Sequence, residues 1–234
     1  RELLYAYRIV KRFYEEGGKD FSPIDLPILL LDRELACAGM EAEREELRLL
    51  YREHADRICE RDTCYPASEV NYEQSIVAPA ADILLSVYAL TMEERYLTAA
   101  ERQIQILELF NGMQPDYHLY EVAIRHWDGY WFGKRRYFGD TFPHYWSALT
   151  GNVFELYGRL TGNSRYLERA ENARRAVLPM IFADGRASCA YIYPFKINGR
   201  EGEFYDPYAN DQDWGLYFYL KNREDTAALT GRCV

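Results

Sequence analysis

Three short segments carry the residue types that chemistry on a sugar needs: NYEQS at 71–75, GDTFPHYW at 139–146 and DPYANDQDW at 206–214. Glu73, His144 and Asp213 fall 71 and 69 residues apart, so they occupy corresponding places in successive units. Capping accounts for part of this, because Asp, Asn and Ser are favoured at helix N-termini. It does not account for Tyr72, Tyr145, Trp146 and Trp214 standing beside those groups, and a cavity-lining role is the preferred reading. Glycoside hydrolysis uses two carboxyl groups, one protonating the leaving oxygen and one activating water or attacking carbon. Glu73, Asp128, Asp140, Asp211 and Asp213 are candidates. Asp140 and Asp213 are preferred as the catalytic pair, with Glu73 and His144 as further catalytic candidates. One acid of the pair needs a pKa raised by burial to act as proton donor. A second chemistry is open to the same residues. His144 and Tyr145, with Arg135 or Arg136 to neutralise a uronate carboxylate, could remove the proton beside that carboxylate, as a lyase does.

Around these groups the chain is rich in flat rings. All four tryptophans lie between 127 and 214, and a ring face stacks on the apolar C–H side of a pyranose while hydroxyls and acids bond its rim. Trp127, Trp131, Tyr145, Trp146, Tyr208 and Trp214 are the expected stacking residues, with Arg135 and Asp211 bonding the substrate. Lys134, Arg135 and Arg136 follow Gly133 inside this aromatic stretch, where a cation can pair with a carboxylate or sulfate.

Helices must position these segments, and the chain repeats itself in the way helical hairpins do. LTMEERYLTAAE at 90–101 and LTGNSRYLERAE at 160–171 share seven of twelve positions at an offset of 70. Before the first turn, 75–90 is apolar nearly all round with one charge, Asp82. After the second turn, 165–178 carries six charges and a single apolar stripe. A helix apolar on all sides is buried and a one-sided helix lies on a surface, so each unit is an inner helix followed by an outer one. Residues 24–38 with 41–58 repeat that order, 213–221 begins another inner helix, and 1–15 reads as an outer helix. A ring of hairpins sets the inner helices parallel, with their N-termini around one end of a cavity. The long connectors 113–143 and 185–208 are expected as short β ribbons on that rim, with Asn198–Gly199 as a hairpin turn. Pro143 suits the first turn of a helix, which would put His144, Tyr145 and Trp146 in that turn.

Composition narrows the class. Net charge is −9, which opposes a sequence-independent grip on nucleic acid, and no stretch approaches the ~18–20 apolar residues of a membrane span. The five cysteines are scattered without a CxxC pair, so buried free thiols in a reducing, cytoplasmic setting are expected. No metal site is expected, since no histidine–carboxylate cluster has ligand spacing, and no cofactor is needed.

The turn signature LTGNSRYLERAE, its weaker copy LTMEERYLTAAE, and the block GDTFPHYWSALTGNVFELYGRLTG resemble the six-hairpin glycosidase superfamily over residues 24–222. The resemblance implies an all-α fold, an (α/α)6 toroid of helical hairpins with short β-hairpins in the connecting loops. That superfamily includes unsaturated glucuronyl hydrolases, some β-glucuronidases and several polysaccharide lyase modules. It transfers no residue role to this chain. About three and a half hairpins are present against the family's six. Residues 1–234 therefore read as one hairpin catalytic domain, either the C-terminal part of a longer toroid or a partial barrel completed by another copy. The expected function is a glycoside hydrolase acting on a uronic-acid-containing saccharide. A polysaccharide lyase using His144 and Tyr145 is the alternative, and a non-catalytic helical scaffold is the third.

Overall fold

The computed structural model describes residues 1–20, 23, 25–62, 74–112, 122–123, 140–144, 146–178, 181, 183–185, 190–193, 196–201 and 214–229, with backbone alone for the strands and for the first residues of several helices. The chain is all-α, built of helical hairpins with two-stranded ribbons in the connectors, as the repeat pattern predicts. It forms two compact units, Arg1–Ile106 with Asn222–Val234, and Leu107–Lys221. No helix among the described residues is long and apolar enough to cross a membrane.

The first unit holds α1 (Glu2–Glu15), a short 3-10 turn (Gly18–Asp20), α2 (Ile28–Cys37), α3 (Glu41–Arg61), α4 (Gln74–Thr91) and most of α5 (Glu94–Phe110). The helix expected from residue 24 starts only at Ile28, immediately after Pro27. This matches the rule that the residue before a proline is pushed out of helical geometry. α4 buries Val77, Ala78, Ala81, Leu84, Leu85 and Tyr88 on one face and Ala80, Ile83, Ser86 and Val87 on the others, so it is buried around its circumference as an inner helix is. α3 buries Leu47, Tyr51, His54, Ala55 and Ile58 along one stripe. α1 docks on α3 through Tyr7 and Lys11, which both reach Glu46, and through Tyr14 Oη against His54 Nδ1 at 3.2 Å.

The second unit holds the end of α5, β1 (Asn111–Gly112), β2 (Val122–Ala123), β3 (Asp140–His144), α6 (Trp146–Thr161), α7 (Ser164–Val177), β4 (Ala190–Tyr193), β5 (Lys196–Ile197), β6 (Arg200–Glu201) and the start of α8 (Trp214–Leu229). β5 and β6 pair across Asn198 and Gly199, whose φ values are 52° and 77°. Both central residues at positive φ is what a two-residue hairpin turn requires. β3 pairs with β4, which lies beyond α6 and α7 in the chain, so the connectors join each other instead of forming only local ribbons. α6 and α7 pack closely because small residues face each other. A Cβ added at Gly151 would stand 3.1 Å from Ala173 Cβ and 3.4 Å from the Ala170 carbonyl.

The two copies of the turn signature fold alike. Thr91 Oγ1 donates to the Val87 carbonyl at 2.8 Å and Thr161 Oγ1 to the Tyr157 carbonyl at 2.7 Å. The next residue adopts a positive φ in both, 57° at Met92 and 72° at Gly162, the left-handed helix ending that suits glycine. Met92 meets that geometry with a Cβ, which costs ~1–2 kcal/mol, while glycine loses more chain entropy. Met92→Gly is therefore expected to raise stability by about 0.5–1 kcal/mol, read by equilibrium unfolding. A loss of stability would show that the two turns are not equivalent.

One expectation about cysteine fails. Cys37 is disulfide-bonded, whereas Cys59 is free. Separation along the chain gave no sign of this, because hairpin packing can bring distant cysteines within the ~4.4–6.8 Å Cα separation a disulfide needs.

Candidate active site

The helix starts fall where the three chemical segments end. α4 begins at Gln74, α6 at Trp146 and α8 at Trp214. In sequence, Glu73, Tyr145 and Asp213 are therefore the residues just before each inner helix, so the true equivalent of Glu73 and Asp213 is Tyr145, with His144 one place earlier. The expectation that His144, Tyr145 and Trp146 share a first helical turn is corrected. Asp140–His144, including Pro143, is strand β3, and Trp146 opens α6, while Tyr145 lies outside the described residues. Proline tolerates this place because irregular strand pairs need not use every N–H. The β3–β4 register runs Asp140↔Tyr193 and Thr141↔Ile192, then slips before His144↔Ala190. Such an irregularity is a bulge, a device that re-aims side chains next to active sites.

A hydrogen bond joins two of these helices. Asn152 Nδ2 on α6 donates to the backbone carbonyl of Phe218 on α8 at 3.0 Å. At 1.5 Å rise per residue, Trp146 and Trp214 begin their helices only about 6–9 Å along each axis from that bond. The segments ending in His144-Tyr145 and Asp213 thus lead into neighbouring helices of one unit. Among the remaining candidates, Asp140 and His144 are described by backbone in β3, and Trp146 and Trp214 by backbone as first helical residues. Glu73, Trp127, Asp128, Trp131, Arg135, Tyr145, Tyr208, Asp211 and Asp213 lie outside the described residues.

The scaffold behind α6 is held by buried polar contacts that sequence patterning did not reveal. Glu155 is buried and accepts from Arg159 Nε at 2.6 Å and Arg174 Nη1 at 2.6 Å, linking α6 to α7. On α7, Tyr166 Oη donates to Glu108 Oε1 on α5 at 2.9 Å, and Arg169 bonds the same oxygen while lying 4.6 Å over the Phe154 ring. Burial first, and then the bond to Glu108, push the Tyr166 hydroxyl up to about 12. The first unit repeats this staple: Tyr96 Oη donates to Asp56 Oδ1 on α3 at 2.8 Å and is pushed up to about 12 by burial and that bond. The shared Arg-Tyr of the turn signature was the available signal. Its carboxylate partners sit on the preceding outer helix and are invisible to an offset of 70.

No protein-family model and no curated protein matches the chain. The chain is similar to the solved structure of Polysaccharide Lyase BACCELL_00875, at 52% identity over 92% of this chain with a TM-score of 0.79. It spans 32% of the length of that protein.

Proposed function

We propose that this chain is part of a polysaccharide lyase that cleaves a uronate-containing chain by β-elimination. The observation that carries the reading is the 52% identity, over 92% of the chain, to a protein named a polysaccharide lyase. In such a step a base takes the proton from the carbon bearing the uronate carboxylate. The released electron pair forms a carbon–carbon double bond, the adjacent C–O bond breaks, and the leaving oxygen takes up a proton; no water is consumed. His144 and Tyr145 are the acid–base pair, and Arg135 neutralises the carboxylate so that the proton becomes removable. The N-terminus of the 16-residue α6 lies two residues beyond His144. The positive end of its helix dipole favours an anionic substrate group there. Trp127, Trp131, Trp146, Tyr208 and Trp214 stack on the sugars, and Asp211 bonds their rim.

The carboxylates at the helix starts support a second reading, a glycoside hydrolase with Asp140 and Asp213 as its pair and Glu73 beside them. Product chemistry separates the two. Incubating the full-length protein with glucuronate- or galacturonate-containing polysaccharides is expected to generate a conjugated, ultraviolet-absorbing double bond together with new reducing ends. Reducing ends without that absorbance would overturn the lyase reading in favour of the hydrolase.

A further inference from the structure

α8 differs from α4 and α6 in what it leaves exposed. Leu216, Tyr217 and Leu220 are 39%, 39% and 49% exposed, and all three lie in the Leu107–Lys221 unit. At about 100° per residue they form one apolar stripe, opposite the buried Gly215 and Phe218.

The turn signature supplies a register for comparing this stripe with the other inner helices. Leu-Thr-Gly at 160–162, across the end of α6, recurs at 229–231, an offset of 69. Ala-Leu-Thr at 89–91, the end of α4, recurs at 228–230, an offset of 139. At these offsets Leu216, Tyr217 and Leu220 match Ser147, Ala148 and Gly151 of α6, and Val77, Ala78 and Ala81 of α4. All six matched residues are buried. On α6 this row meets the outer helix of its own hairpin. A Cβ at Gly151 would stand 3.1 Å from Ala173 Cβ of α7, and Glu155, one turn on, accepts from Arg174 of α7 at 2.6 Å. The offset of 69 carries Glu155 onto Glu224, one turn after Leu220. α5 starts three residues after Thr91 and α7 three after Thr161, so the pattern calls for an outer helix starting near Cys233.

We propose that Leu216, Tyr217 and Leu220 seat the outer helix of the α8 hairpin, formed by the polypeptide that follows Gly231, with a cation of that helix paired to Glu224 as Arg174 is to Glu155. This chain spans 32% of the lyase structure it resembles, which leaves most of such a protein outside this stretch to supply the helix. The shared spacing of stripe, turn motif and carboxylate favours a helix joined through the turn over a second copy of the chain. Three large side chains also fall far short of the ~20–30 residues a side that a stable dimer buries. The occupant differs from α7 in one respect. Gly151 lets α7 approach closely, whereas Leu216, Tyr217 and Leu220 hold a helix toward the upper end of the ~8–10 Å interaxial range. Side chains of that size interdigitate best with small residues, such as Ala170 and Ala173 are on α7. The inference rests on helix spacing and holds for elimination and hydrolysis alike.

The test uses the full-length protein with Tyr217 replaced by p-benzoylphenylalanine, irradiated and mapped by mass spectrometry. A crosslink within one polypeptide, to the first helix after Gly231, is expected. A crosslink to a second copy, a crosslink to another part of the chain, or none would overturn the proposal. Leu220→Asp provides an independent reading, because it puts a charge into the seat. A fall in melting temperature of more than ~2 °C, up to outright failure to fold, is expected. A shift within ~2 °C, as at a solvent-facing position, would count against the seat whatever the crosslink shows.

Discussion

His144→Ala is expected to lower chain cleavage by about 10²–10⁴-fold, the range for losing a positioned acid–base group, with little change in melting temperature. His144 is the last residue of β3, and its pairing with Ala190 is a backbone register that alanine preserves. The structural cost should therefore be small, which separates a chemical role from a packing role. Tyr145→Phe keeps the ring and removes only the hydroxyl, and a comparable loss is expected there if the two act as a pair. Initial rates on a uronate polysaccharide, measured beside thermal unfolding, check both. Full activity in both variants, with loss on Asp140→Asn or Asp213→Asn instead, would move the chemistry to the carboxylates.

The largest stability effect is expected at Asp32. This carboxylate is buried on α2 and receives two guanidinium forks from α3: Arg44 through Nε and Nη2, both at 3.1 Å, and Arg48 at 2.5 and 2.9 Å. Asp32→Ala leaves both arginines without their shared anion. Breaking a buried pair from one side costs about 3–5 kcal/mol; because the arginine side chains are 22% and 27% accessible, the lower end, about 3 kcal/mol, is expected. The same site gives an acid signature. Burial pushes the Asp32 carboxyl up, but the bonds from Arg48 and Arg44 outweigh it and hold the pKa below its ordinary value. A depressed folded-state pKa contributes stability above the unfolded value, about 4, and that contribution is lost as pH falls through the folded value. The wild type should thus lose stability below about pH 4 by an increment that Asp32→Asn lacks, measured as urea midpoints across pH 2–6.

Much of the frame was legible because a helical hairpin writes its geometry into the chain at fixed spacing. The repeat at offset 70 marks two turns that share a threonine back-bond and a left-handed residue, at Met92 and Gly162. The apolar run 75–90 became α4 almost residue for residue, and Asn198–Gly199 turned where two consecutive positive φ values are needed. What stayed hidden depends on partners far away in sequence. Pro143 reads as a helix start by local rule, yet β4, some 50 residues on, draws Asp140–His144 into a strand. The Asp32–Arg44–Arg48 network looks like ordinary surface charge until α2 folds back on α3. Tyr51 reads as a plain core residue of the α3 stripe, and only the packed helices leave its buried hydroxyl unpartnered. The spacing of the His144-Tyr145 and Asp213 segments was legible, while the bond between Asn152 and Phe218 that joins the helices they lead into was not.

The most direct measurement is the mass balance of a single cleavage. A defined uronate oligosaccharide is incubated with the full-length protein, and both fragments are weighed by mass spectrometry. Elimination predicts fragments whose masses sum to that of the substrate, with the fragment carrying the new non-reducing end lighter by one water than its hydrolysis counterpart. Fragments whose masses sum to the substrate plus one water would contradict the account and assign the chemistry to the carboxylates Asp140 and Asp213.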